Sequence, residues 1–253
     1  MSLIFAEYLL LNEDKKINKK DLINEKFECD IFINEKKFPE NQNTKLKENR
    51  ILYLFKKNYT DLSCMFENCS SLISIDLSNF SPKEVLDISY MFYNCEKLTK
   101  VDLSNFNTNQ VRNMAGVFNN CKSLISIDVT NFNTYSVNNM MGMFSNCSSL
   151  TLIDLRNFHT ENVTHMTGMF HGCKNLIKLD LSSFDTSKVY YMNGMFYNCY
   201  SLTELDLSSF NLEKIRSNKE MDKMFFGCKY LTKDSIRYKD QKIKKQIIID
   251  IVI

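Results

Sequence analysis

The residues with the most chemistry to offer in this 253-residue chain are nine cysteines, three histidines and a recurring aspartate. Cysteine with histidine would suggest zinc, paired cysteines a disulfide, and grouped aspartates oxygen ligands for a divalent cation. Spacing decides among these. Cys69, Cys95, Cys121, Cys147, Cys173 and Cys199 each follow the last by 26 residues, and Cys228 follows after 29. A metal site needs ligands converging in one small volume, whereas these cysteines recur once per repeat and His159, His165 and His171 occupy three different repeat positions. Equivalent cysteines in stacked repeats come within about 5 Å, inside disulfide range, but an unbroken column offers no natural pairing. The expectation is reduced thiols acting as small buried hydrophobes. Cys29 and Cys64, outside the column, are the more reactive two.

The aspartates keep the same register: Asp76, Asp102, Asp128, Asp154, Asp180 and Asp206. Two carboxylates about 5 Å apart in water repel by somewhat under ~1 kcal/mol, so such a column is tolerable. Two readings are open. Ser78, Ser104, Thr130, Ser182 and Ser208, with backbone groups, hydrogen-bond the carboxylates, helped by Lys100, Arg156 and Lys178; or the column forms a row of cation sites. No nucleophile with a base, no paired carboxylates in a pocket and no phosphate-binding glycine loop is identifiable, so the chain reads as non-enzymatic, with no cofactor and no metal.

The elements that must position these residues follow from two alternating periods. In "LTKVDLSNF", Val101 and Leu103 flank Asp102, the period of two of a short strand with one buried face. In "VRNMAGVFNNC", Val111, Met114, Val117, Phe118 and Cys121 are apolar, which fits one face of a helix or a pair of tight helical turns. A 26-residue unit cannot bury its apolar stripe alone, so copies must stack. Their strands then align in parallel about 4.8 Å apart, a ladder roughly 25 to 30 Å long. The fold class is α/β: a right-handed leucine-rich-repeat-like solenoid with one short parallel strand and one helical segment per coil, and a small β-rich N-terminal cap.

"MFHGCKNLIKLDLSSFDTSKVYYM", residues 169 to 192, carries the pattern MFxxCxxLxxLDLSxFxTxxVxxM and resembles the 26-residue repeat of BspA-like leucine-rich-repeat proteins. The match runs from about residue 60 to 232. The resemblance implies a solenoid used for binding or adhesion, frequently at the cell surface, with no catalytic residues to carry over. One departure is that Phe106, Phe158 and Phe184 sit where the commoner leucine-rich repeat has an asparagine ladder. Backbone groups that such an asparagine satisfies need other partners, and Asn105, Asn131, Asn157 and the serines after the strands are the candidates.

Residues 1–59 lack the repeat and read as an N-terminal cap or small β-rich module, with strands over 27–34 and 51–55 joined by a charged loop; a distinct functional domain is the alternative. Residues 60–232 are the array of about seven coils, and 233–253 a capping tail. "LTKDSIRYKD" is a degraded repeat, and the strand-prone "QKIKKQIIIDIVI" either pairs with the last coil or marks a cut in the natural chain. A net charge of +2 favours neither nucleic acid nor an anionic membrane. The apolar opening lacks a basic n-region, and no stretch reaches the roughly 18 to 20 apolar residues of a membrane span. Location is cytoplasmic on these grounds and cell surface by the resemblance.

What changes from copy to copy carries specificity. On the strand face these are Ser74, Lys100, Ser126, Leu152, Lys178 and Glu204, beside Arg156; on the outer rim Tyr190, Tyr191, Tyr197 and Tyr200 cluster late in the array. Candidate contacts for a protein or other macromolecular partner are Lys100, Asp102, Asp128, Asp154, Arg156, Lys178, Asp180, Glu204, Asp206, Tyr190, Tyr191 and Tyr197, on a chain expected to be monomeric.

Overall fold

The computed structural model describes residues 2–8, 16–17, 19–33, 36–37, 44–45, 50–55, 57–80 and 82–251. Before the repeats lie β1 (Ser2–Tyr8), β2 (Lys16–Ile17), β3 (Cys29–Ile33), β4 (Lys36–Lys37), β5 (Thr44–Lys45) and β6 (Arg50–Phe55). In the first two repeats lie β7 (Leu72–Asp76) and β8 (Lys100–Asp102). Six of these form one mixed sheet in the order β4-β3-β6-β1-β7-β8. β1 runs antiparallel to β6 and to β7, and β7 pairs in parallel with β8 with Ser74 opposite Lys100 and Asp76 opposite Asp102. The N-terminal strands therefore extend the sheet of the array. β3 and β6 fall within the two segments expected as strands, apart from Arg50; most of the charged loop between them lies outside the described residues.

Residues 26 apart are spatial neighbours through the array. Phe66, Phe92, Phe118, Phe144, Phe170, Phe196 and Phe225 form one ring stack, with centroids 5.6 to 6.0 Å apart and interplanar angles of at most 9°. Such pairs contribute roughly 0.5–1.5 kcal/mol beyond the area they bury. A second buried column runs through Phe80, Phe106, Phe132, Phe158, Phe184 and Phe210.

The segment expected to be helical is instead a succession of tight turns. Met91 N–H bonds Ile88 O and Cys95 N–H bonds Phe92 O, each closing over three residues. The reason is in the backbone. Asn94, Asn120, Asn146, Gly172 and Asn198 have φ between 57° and 70°, and four residues earlier Tyr90, Gly116, Gly142, Gly168 and Gly194 have φ between 56° and 60°. A left-handed residue at the third position of each turn is the type II pattern, which glycine and asparagine tolerate. It also stops a right-handed helix from propagating. The turn amides are free to pair between repeats: Tyr90, Phe92 and Asn94 N–H donate to the carbonyls of Ala115, Val117 and Asn119.

The two ends differ in polarity, because within the tight turns each copy donates to the next, even though Arg112, Asn138, Thr164 and Tyr190 N–H, just before those turns, donate back to the preceding copy. The first copy is left with carbonyls and the last with N–H groups. Asn24 N–H accordingly donates to Met65 O at 2.8 Å, and the Asp250 carboxylate accepts from Phe225 N–H at 2.9 Å. β9 (Leu205–Leu207) pairs in parallel with β10 (Ile236–Tyr238), so the degraded repeat does place a strand. The tail beyond it is a correction: Gln241–Ile251 is a helix, α1, not a strand. Asp240 caps it by accepting from Lys242 N–H at 2.7 Å, and Ile243 and Ile247, one turn apart, are buried beneath it. The last two residues of the tail lie outside the described residues.

Candidate interaction surface

The cysteines are structural. All nine are free, and the seven of the column are buried. From the second copy on, each thiol donates back to a phenylalanine carbonyl of the preceding copy, as in Cys95 to Phe66, Cys121 to Phe92 and Cys147 to Phe118 at 3.1 to 3.3 Å. Burial pushes the Cys69, Cys147 and Cys228 thiols up to about 12. Cys29 and Cys64 are also raised by burial, to about 11, so at neutral pH they too are thiols rather than nucleophilic thiolates.

The Asp column is fixed by its own turns. Asp76, Asp102, Asp128, Asp154, Asp180 and Asp206 each direct Oδ1 at the N–H two residues on, at 2.8 to 3.1 Å. Hydrogen bonds to Ser104, Thr130, Ser182 and Ser208 hold the carboxyls of Asp102, Asp128, Asp180 and Asp206 below their ordinary value. Arg156 does this most strongly: its Nε and Nη2 grip Asp154 at 3.0 and 2.7 Å and lower it to about 2. Among the described residues no three His, Cys, Asp or Glu side chains are grouped to hold a metal ion.

The asparagine role expected after the strands is visible. Asn105 Nδ2 donates to Ser78 O, Asn131 Nδ2 to Leu103 O and Asn157 Nδ2 to Thr130 O, with Ser183 and Ser209 hydroxyls donating to Leu155 and Leu181 carbonyls in later copies. Under them runs a buried threonine ladder: Thr134 Oγ1 donates to His159 O at 2.9 Å and accepts from His159 N–H at 2.7 Å, and Thr108 and Thr186 do the same one copy on.

With the interior so committed, the candidate residues divide into two surfaces. Lys100, Asp102, Asp128, Asp154, Arg156, Lys178, Asp180, Glu204 and Asp206 share the strand face, where Lys178 pairs with Glu204 at 2.7 Å and Arg237 of β10 lies 3.6 Å from Asp206. The tyrosines lie on the turn side. Tyr191 tilts against His165 with ring centroids 5.1 Å apart, Tyr197 lies 4.7 Å from His171 and 5.4 Å from Phe226, and Tyr190 is exposed. Burial lowers the pKa of His171. The three histidines thus belong to separate ring contacts, His159 stacking on Tyr135 at 3.9 Å.

A third group escaped the reading of the sequence. Phe5, Leu52 and Phe32, with the Glu7–Arg50 ion pair at 3.3 Å, line a concavity of about 1060 Å³ that continues over Ser74, Asp76, Lys100 and Asp102. The signal was the alternation of Ile4, Ala6 and Tyr8, which are buried, with Leu3, Phe5 and Glu7, which are not. Apolar residues on both faces of "LIFAEY" hide that alternation.

Residues 60–153 and 147–247 match the family described as "Mycoplasma protein of unknown function, DUF285". The chain belongs to this family. The two DUF285 segments together cover the whole array and most of α1, and the first begins where the non-repeating region ends. No curated protein and no solved structure matches the chain. No helix among the described residues of this DUF285 protein is long and apolar enough to cross a membrane.

Proposed function

We propose that this DUF285 protein is a non-enzymatic binding module: a right-handed, leucine-rich-repeat-like solenoid of the BspA type whose strand face holds a protein or other macromolecular partner, acting in adhesion at a cell surface. The observation that carries this reading is the contrast between columns. Inside, Phe, Cys and Leu repeat in every copy and are buried against their equivalents. Outside, the strand-face column reads Ser74, Lys100, Ser126, Leu152, Lys178 and Glu204, a different chemistry at almost every step, with Ser74 paired in parallel to Lys100 and Ser126 to Leu152. Constant packing with a varied exposed column is how a stacked-repeat protein separates stability from recognition.

The experiment is capture of partners by the full chain, repeated with Lys100→Glu, Arg156→Glu and Lys178→Glu. Loss of capture in these variants, with unchanged circular dichroism, is the expected result; unchanged capture places the contact off the strand face. An intracellular scaffold of the same shape is the second reading, favoured by the thiol-to-carbonyl bonds, which require reduced sulfur. Labelling of intact cells with a membrane-impermeant biotin reagent separates the two.

A further inference from the structure

We propose that the concavity where the N-terminal sheet meets the first repeats is a docking groove for an extended protein segment in which apolar side chains are followed by lysine or arginine. The proposal rests on the binding-module reading and narrows its partner. Strand register supplies the first argument. Phe32 is opposite Leu52, Leu52 opposite Phe5, Phe5 opposite Asp76, and Asp76 opposite Asp102, so these five residues form one row across β3, β6, β1, β7 and β8. The row changes from apolar to anionic where β1 meets β7. Phe5 is 46% exposed in the floor of a concavity of about 1060 Å³, with Phe32, Leu52 and Ile73 only partly covered. An open apolar floor of this kind within a polar rim marks a contact surface.

Charge supplies the second argument. Most downstream carboxylates have cations of their own: Asp154 has Arg156, Glu204 has Lys178 and Asp206 has Arg237, while Asp180 has no ion pair among the described residues and feels Arg156 through space. Asp76, Asp102 and Asp128, the three nearest the apolar row, have no ion pair within 4.0 Å among the described residues. Of the two cations lining the concavity, Arg50 is paired with Glu7, and Lys100 stands one row away, opposite Ser74. An acidic segment would be repelled here, and a purely apolar ligand would leave Asp76 and Asp102 with only the through-space charge of Lys100. A segment running from apolar to basic matches both halves.

Spacing sets the pattern of that segment. Strands are about 4.8 Å apart, and alternate side chains of an extended chain fall about 6.8 Å apart. Two alternating side chains therefore cover the Phe32–Leu52–Phe5 stretch, and the next two reach Asp76 and Asp102. The fitting order is apolar, any, apolar, any, basic, any, basic, recognised as extended-peptide ligands are, by pockets for alternate residues.

The test is fluorescence anisotropy of the full chain with a labelled Phe-Ser-Leu-Ser-Lys-Ser-Lys probe, beside one with glutamate for lysine and one with serine for phenylalanine and leucine. The lysine probe is expected to bind with an affinity that falls as salt rises, and each control about tenfold more weakly. Phe5→Ala and the double variant Asp76→Asn/Asp102→Asn are each expected to weaken it about tenfold. Asparagine retains the acceptor for the turn N–H, so the fold is preserved. Equal binding of the lysine and glutamate probes, no binding of the lysine probe, or binding unchanged in both variants overturns the groove. Loss of macromolecular partner capture in Arg156→Glu and Lys178→Glu but not in Phe5→Ala overturns it while leaving the strand-face reading intact; partner capture unmoved by any of these variants overturns both.

Discussion

Phe92 O accepts two hydrogen bonds, from Cys95 N–H at 3.1 Å and from the Cys121 thiol at 3.3 Å, so both lone pairs of a buried carbonyl are engaged. This explains why a thiol recurs: it fills a small apolar space and carries a weak donor at the right reach. The cysteine column was legible from its 26-residue spacing, but this bond was not, because it joins residues 29 apart and depends on how one turn sits over another. The buried threonines carry a similar burden. Thr134, itself fully buried, serves both the N–H and the C=O of His159. Thr134→Val keeps the shape and strands both groups, an expected loss of about 1–3 kcal/mol in the unfolding free energy read from denaturant melts. An equivalent change at exposed Thr203 should cost under about 0.5 kcal/mol.

At the scale of the element, β8 was readable from Val101 and Leu103 flanking Asp102, but the equivalent stretches 126–128, 152–154 and 178–180 form no strand, only the Ser126–Leu152 bridge, and the helical period was misleading. Gaps of three between Val111, Met114 and Val117 suit successive three-residue turns as well as a helix, and the left-handed Gly116 and Asn120 choose the turns. In the tail the opposite happened. Isoleucine-rich sequence suggested a strand, but Ile243 and Ile247 at helical spacing and the Asp240 cap outweigh β-propensity. The Asp-turn column makes a prediction about acid. The carboxyls of Asp102, Asp128, Asp154, Asp180 and Asp206 have folded pKa values below their ordinary value of 3.8, reaching about 2 at Asp154, so their contribution to stability is present above about pH 4. It is lost as pH falls through the folded values. Thermal midpoints should drop as pH falls from about 4 towards 2, and Arg156→Ala should shift the foot of that drop upward. A midpoint that rises on acidification would contradict the sign.

For the molecule as a whole, the N-terminal strands could be recognised as a β-rich segment joined to an array, but their antiparallel attachment through β1 to β7 could not, since register between distant segments leaves no local mark. The concavity went unseen for the same reason: Phe5, Leu52 and Asp76 are far apart in sequence and adjacent only across the sheet. Everything proposed for the surface depends on copies 26 residues apart lying side by side in one register. Ser126 and Leu152, which face each other in a parallel bridge, test this most directly. In the Ser126→Cys/Leu152→Cys variant, mild oxidation should form a disulfide rapidly, because the parallel bridge brings the two positions to about 5 Å while the native column thiols are buried and protonated. The control is Ser126→Cys/Asn139→Cys, half as far apart in sequence, and it should not cross-link. Faster cross-linking of the control, or none in either variant, would contradict the stacking.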